Sequence, residues 1–212
     1  MSRDPLRVRR LPEKQVATRS ALDAVLDQAL VAHVAVPAPD RLAVVPVGLA
    51  RDGDQVLIHG STASQAFQTL ATGVQTCLTV TLLDGVVVAR SQFESSMQYR
   101  SAMVFGAFTA LSGEDKSAAL AVLAARLLPG LTGAREPSPK ELTATAVLAM
   151  PLEAWSVKVS ESEPEDAPDD LDRPVWAGVV PLSRSWAAPI TASDLRFPLK
   201  PPVQVQDWPV RG

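Results

Sequence analysis

Asp52-Gly53-Asp54-Gln55-Val56-Leu57-Ile58-His59-Gly60-Ser61-Thr62-Ala63-Ser64 packs a turn, a strand and a helix start into one short stretch. Asp52-Gly53 separates two β-type runs, residues 42–50 and 56–59. Glycine supplies the positive φ that a tight hairpin needs, so the two runs read as paired antiparallel strands. His59-Gly60 then leads to Ser61, which reads as a helix N-cap. Ala66, Phe67 and Leu70 form the buried side of a short helix, and Gly73 stops it. A helix start leaves backbone N–H groups free, so His59, Gly60, Ser61 and Ser64 are candidates for holding a phosphate. An ordinary cap, which needs only Ser61, is the competing reading.

The stretch sets the pattern for its neighbours. Residues 74–83 read as a long apolar strand, Asp84-Gly85 as a second hairpin turn, and residues 86–93 as the return. Residues 99–111 form another strand, with Gly106 marking a bulge or a close backbone approach. Upstream, Ala21, Leu22, Val25, Leu26, Ala29 and Leu30 make a helical stripe over residues 18–31 that Thr18 or Ser20 caps, followed by β-type runs at 32–36 and 42–50. Pro46 lies inside the second run. Proline cannot donate to a ladder, so this strand is an edge, is bulged, or has one side facing something else, such as a ligand. Downstream, Ser112 starts a helix, with Asp115 as a weak capping box. Ser138-Pro139-Lys140-Glu141 starts another with a full capping box. Residues 147–159 and 173–182 read as strands. Between them, residues 160–172 hold seven acidic residues and two prolines and read as a solvated loop. Strands do not alternate with crossover helices, so a parallel nucleotide-binding sheet is disfavoured. The pattern predicts a mainly β, antiparallel barrel with peripheral helices. Residues 1–16 form a basic, proline-containing arm, 17–182 the barrel domain, and 183–212 a proline-rich tail.

Composition narrows the chemistry. The 212 residues are 47% hydrophobic with a net charge of −3, so no general attraction to nucleic acid is implied. Arg3, Arg7, Arg9 and Arg10 read as a solvated arm. The single cysteine, Cys77, builds no disulfide or cysteine-rich metal site and reads as a buried, inert thiol. No apolar run reaches a membrane span and no signal peptide is visible, so a cytoplasmic protein is the default. There is no Gly-x-Gly-x-x-Gly, P-loop, His-Glu-x-x-His or Gly-x-Ser-x-Gly, which disfavours a hydrolase. Of the two histidines, His33 reads as a buried or edge residue, while His59 sits in the candidate anion site. Arg90 and Arg100 stand at strand ends where either can pair with a phosphate. Trp155, Trp176 and Tyr99 line a pocket or fill the core.

Taken in order, Val45-Pro46-Val47, Leu57-Ile58-His59-Gly60-Ser61, Thr79-Val80-Thr81-Leu82-Leu83-Asp84-Gly85, Tyr99-Arg100-Ser101, Val104-Phe105-Gly106 and Val175-Trp176-Ala177-Gly178-Val179-Val180-Pro181 resemble the pyridoxamine 5′-phosphate oxidase-like split-barrel flavoproteins, in the branch of the nitroimidazole-resistance type. The resemblance implies a six-stranded antiparallel split β-barrel with flanking helices, a homodimer, and FMN in a groove between subunits. It implies a phosphate held at His59, Gly60, Ser61 and Ser64, and a flavin ring along the backbone of Val45, Pro46 and Val47. Polar contacts would come from Arg100 and Ser101, with Trp176 on the closing strand. Gln65 and Ala66 stand where many relatives carry Arg or Lys. The function implied is an FMN-dependent oxidoreductase acting on a small molecule. The alternatives are a non-catalytic or degenerate barrel, or one that takes another flavin-like or haem ligand. No catalytic residue and no metal site is assigned.

Overall fold

The computed structural model describes residues 6, 10–38, 41–128, 130 and 133–206. Arg3, Arg7 and Arg9 lie outside them, as does the second half of the turn that Pro37-Ala38-Pro39-Asp40 predicts between the runs 32–36 and 42–50. The chain runs β1 (Gln15–Val16), α1 (Arg19–Gln28), β2 (Val31–Pro37), β3 (Leu42–Asp52), β4 (Gln55–Ser61), α2 (Gln65–Ala71), β5 (Gln75–Val88), β6 (Ser96–Ala107) and β7 (Thr109–Ala110). It continues with α3 (Gly113–Leu127), α4 (Pro139–Ala144), β8 (Thr145–Pro151), β9 (Ala154–Ser160), β10 (Gly178–Pro181) and α5 (Val203–Gln206). The fold is mainly β and every strand pairing is antiparallel. The strand order is β1-β9-β6-β5-β2-β3-β4-β8-β7, with β10 added against β5. This is the split-barrel class that the resemblance implies, with ten strands among the described residues.

The split follows from β3. Its first part pairs with β2 from Leu42 to Gly48, and its last part pairs with β4 from Leu49 to Asp52. One strand thus belongs to both halves. The turn at Gly53 has φ +54° and joins Asp52 to Gln55, as predicted. Pro46 lies opposite His33 of β2, and its other side is unpaired because β3 pairs with β4 only from Leu49 onward. Its missing N–H therefore costs no ladder bond on that side. Helix α1 plugs the barrel with Leu22, Val25 and Leu26, all fully buried, against Val34, Leu49, Leu78, Val104 and Val157. Helix α3 covers the outside of the second half through Ala119 and Leu123, over Ala50, Leu57 and Val147. The predicted capping box at Ser138 is complete, with Glu141 N–H donating to the serine and Ser138 N–H donating to the glutamate.

Several local expectations give way to longer-range pairing. Asp84-Gly85 is not a turn: β5 runs straight through it, with only a bulge in its pairing to β6. Arg100 holds the Asp84 carboxylate, and β10 lies against Gly85, where a Cβ would meet the Val180 carbonyl oxygen at 2.9 Å. The chain turns instead between Ala89 and Ser95. Residues 147–159 form two strands, β8 and β9, because Leu152-Glu153 carries the chain from one half of the barrel to the other. The closing strand is short, leaving Trp176 in the coil before it. The acidic loop is anchored. Asp166, 1% exposed in its side chain, accepts from the Arg90 backbone N–H at 2.7 Å and from Arg90 Nη1 at 2.9 Å. Gln15–Val16 of the predicted arm pairs with β9.

Candidate functional site

Alternation along β2, β3, β5 and β6 puts one set of side chains into the core and the other on an outer face. Val45 and Val47 point inward with Val34 and Ala32. Leu42, Val44, Pro46, Val31, His33, Thr79, Thr81, Ser101 and Met103 lie on the outer face, in register across the four strands. Helix α3 covers this face only over β3 beyond Gly48. Around Leu42 and Val44 the face is bare and apolar, at 69% and 60% exposure, and Val31 is 51% exposed. His33 is exposed on an interior strand, neither buried nor at an edge. β2 is flanked by β3 and β5, and His33 stands on the face the barrel turns outward.

His59 comes to the same face. Its Cε1 lies 3.8 Å from where a Cβ on Gly48 would stand, so the imidazole lies over Gly48, two residues from Pro46. Its Nδ1 is buried and has no hydrogen-bond partner among the described residues. The two histidines, distant in sequence, thus flank Pro46 and Gly48. A buried polar nitrogen without a partner costs about 1–3 kcal/mol, which a ligand's polar atom would offset.

The junction after His59 differs from the sequence expectation. Helix α2 begins at Gln65, so Ser64 rather than Ser61 holds the N-cap position, and no side-chain cap bond forms. Ser61 Oγ accepts from Ala63 N–H at 3.1 Å, Ser64 N–H donates to Ser61 O at 3.0 Å, and Thr62 N–H donates to Ala144 O at 2.9 Å. The amides of Thr62, Ala63 and Ser64 are therefore used internally, leaving those of the first turn of α2. Gly60 has a packing role. A Cβ there would meet the Phe67 ring at 2.3 Å, so glycine is what lets α2 dock on β4.

The two arginines proposed from sequence are engaged. Arg100 projects from the opposite side of β6 to Ser101. It gives two hydrogen bonds to Asp84, at 2.9 and 2.7 Å, and one to Gln28 at 2.6 Å. The Asp84 carboxylate raises its pKa further above the ordinary arginine value. Arg90 anchors Asp166. Trp176 is exposed and folds over Gly178 beside the far end of β5, away from Pro46. Cys77 is half-buried on β5, and burial pushes its thiol pKa up, which keeps it protonated and inert.

A cavity of about 490 Å³ adjoins the outer face. Its floor is Val31, His33, Thr81 and Leu82, its wall the end of α1 at Gln28, Ala29 and Leu30, and its roof Arg184, Ser185 and Trp186. Sequence reasoning missed Gln28, Thr81, Arg184 and Trp186. They come from separate segments, and no local motif announces them. Among the described residues no cluster of three or more His, Cys, Asp or Glu could hold a bare metal ion. Among the described residues no helix is long and apolar enough to cross a membrane.

A family model described as pyridoxamine 5′-phosphate oxidase matches residues 18–159. No curated protein matches the chain. Among solved structures, the chain is similar to an FAD and haem binding protein from Mycobacterium smegmatis. That likeness has 43% identity and a TM-score of 0.87, over 91% of this chain and 95% of that one. It is also similar to the flavocytochrome Anf3 from Azotobacter vinelandii, with 32% identity and a TM-score of 0.87, over 96% and 95%. A candidate 5-nitroimidazole antibiotic resistance protein from Bacteroides thetaiotaomicron shares the fold, with 19% identity and a TM-score of 0.57, over 68% and 86%.

Proposed function

Because the chain belongs to the pyridoxamine 5′-phosphate oxidase family, we propose that it binds a flavin on the outer sheet face around Pro46, as a homodimer, and acts as an oxidoreductase on a small molecule. The observation that carries this reading is the alignment of more than nine-tenths of the chain, at 43% identity, with a protein described as binding FAD. That description favours FAD over FMN. Bound there, a flavin supplies the electron-transfer chemistry, and the protein supplies position and dryness. Pro46 and Gly48 leave a low, flat strip for a planar ring, with His33 and His59 on either side. His59 Nδ1 offers an unspent polar atom at its rim. Ser61, Ser64 and the first-turn amides of α2 are the donors available to a phosphate. Arg100, held by Asp84, acts through the scaffold.

The bare apolar face supports the dimer, since patches of this kind mark interaction surfaces. A second copy laid on Leu42 and Val44 would also exclude water from the ring. Purified protein is expected to carry a flavin spectrum, with the released nucleotide identified by chromatography. Protein that stays colourless in excess FAD and in excess FMN would refute the reading. Val44→Glu, which puts a charge on the bare face, is expected to shift the protein to monomer in light scattering and to lower flavin retention. A wild-type monomer at all concentrations would remove the dimer.

A second reading, that the chain also takes haem, is favoured by His33. Haem iron asks the protein for only one or two axial ligands. The His33 imidazole makes no hydrogen bond among the described residues and opens onto the 490 Å³ cavity, whose walls are largely apolar. These residues fit the group. Haemin added to purified protein is expected to give a sharpened Soret band that His33→Ala removes. An unchanged band in that variant would exclude His33 as the ligand.

A further inference from the structure

The cavity roof comes from a segment that lies outside the family match. Residues 182–186 follow β10 and fall beyond residue 159, where the match ends. The two relatives aligned over 91% and 96% of the chain extend past that boundary, because residues 18–159 alone are too few to supply such coverage. The Bacteroides structure, aligned over 68%, need not. The tail therefore belongs to the part of the molecule shared with proteins described as binding haem or as flavocytochromes.

The segment is held in place. β10 pairs with β5 from Gly178 to Pro181, and Leu182 N–H donates to Asp84 O at 2.8 Å. Arg184 then lies over the floor with no hydrogen bond or ion pair among the described residues. A small cavity of about 80 Å³ brings it beside Asp84 and Arg100, yet Asp84 spends both oxygens on Arg100. The result is an unpaired guanidinium at the mouth of a cavity that mixes apolar groups, Leu30, Val31, Leu82 and the Trp186 indole among them, with polar ones such as Gln28 and His33.

We propose that Arg184 and Trp186 complete a binding site for a flat, apolar molecule carrying an anionic group, with Arg184 pairing the anion and Trp186 covering the apolar body. Two sources share that chemistry: the propionate edge of haem and an aromatic acid. The inference rests on the cavity being a ligand site and deepens the haem reading without depending on it. A guanidinium forms charge-assisted, often bidentate bonds to carboxylates and sulfonates. The indole face stacks on planar rings.

The test titrates the full-length protein with haemin, with 8-anilinonaphthalene-1-sulfonate, and with the uncharged N-phenyl-1-naphthylamine. At least one of the two anions is expected to bind one site per chain. Arg184→Gln is expected to weaken that anion roughly ten- to a hundredfold, as loss of a charged hydrogen bond does, and to leave the uncharged probe unaffected. Trp186→Ala weakens all three. Thr81→Trp, which fills the cavity from an exposed position, abolishes anion binding with Tm unchanged. His33→Ala separates the sources: a loss confined to haemin identifies haem, while binding of the sulfonate alone identifies an aromatic acid. The proposal is overturned if neither anion binds, if Arg184→Gln binds like wild type, if it weakens charged and uncharged probes equally, or if Thr81→Trp still binds. Flavin content is read in the same samples, so absent flavin with intact anion binding refutes the flavin reading alone.

Discussion

Gly60→Ala separates a ligand cradle from a packing contact. A Cβ at residue 60 would stand 2.3, 2.6 and 2.7 Å from three atoms of the Phe67 ring. Ordinary carbon contacts sit at about 3.5–4.0 Å, so the ring must retreat by more than about 1 Å. Phe67 has little room to do so. It is 6% exposed and packs in the barrel core. Overpacking of this kind costs about 1–3 kcal/mol, which for a chain of this size lowers Tm by roughly 2–12 °C. The assay is thermal unfolding of wild type, Gly60→Ala, Phe67→Leu and the double variant. Phe67→Leu alone destabilises through a lost ring, but it leaves space for the new methyl group. The double variant is therefore expected to be more stable than the sum of the single effects predicts, with a coupling of about 0.5–3 kcal/mol. Flavin affinity, corrected for stability, should be little changed. If Gly60→Ala left Tm unchanged while flavin affinity fell, the packing argument would be wrong and the glycine would serve close approach of a ligand.

Asp166→Ala is expected to release the acidic loop. It leaves the Arg90 side chain and backbone N–H without their acceptor, a loss of about 2–4 kcal/mol after allowing for the part-exposed arginine. Limited proteolysis should then cut within residues 161–173, and uncut protein would show that the loop is held elsewhere. Acid should weaken the start of α4. Arg135 and Ser138 hold the Glu141 carboxyl well below the usual carboxylate range. Its contribution is complete above the ordinary glutamate pKa and is lost as pH falls through the lower, folded value. The stability gap between wild type and Glu141→Gln should therefore close on acidification, and a gap that widened would reverse the assignment. Ser138→Ala should cost about 1 kcal/mol by removing the cap.

Two copies of one dipeptide show why some of the fold was legible and some was not. Asp52-Gly53 is a turn, as read, because the strands it joins pair with each other at once. Asp84-Gly85 has the same local chemistry but is extended, because its partners are distant. Arg100 holds the aspartate, and β10 closes against the glycine. Local propensity decides where nothing competes; tertiary pairing overrides it elsewhere. The same rule explains Ser138, whose capping box is self-contained and formed as predicted, and Ser61, whose hydroxyl serves Ala63 while the helix begins after Ser64. It also explains Arg100, a plausible phosphate partner by position but held by Asp84 and Gln28, one near and one far along the chain.

The site itself depended on which face each strand turns outward, and one residue carried that information. Pro46 in mid-strand marked a place where β3 lacks a neighbour on one side, and the structure puts the split of the barrel there. Once that register is fixed, alternation alone brings His33, Thr81 and Ser101 to one face and sends Val45, Val47 and Arg100 to the other. A flavin ring laid on this strip would meet Pro46 and Gly48, not the inward valines beside them. On that placement Val45 and Val47 would offer the ring their backbone alone, which is the contact the resemblance implies. Substituting either valine by alanine should act through stability, whereas Gly48→Val, which adds a branched side chain on the strip beside His59, should act on flavin retention first. Equal loss of flavin from the valine and glycine variants at matched stability would mean that the ring does not lie on this face.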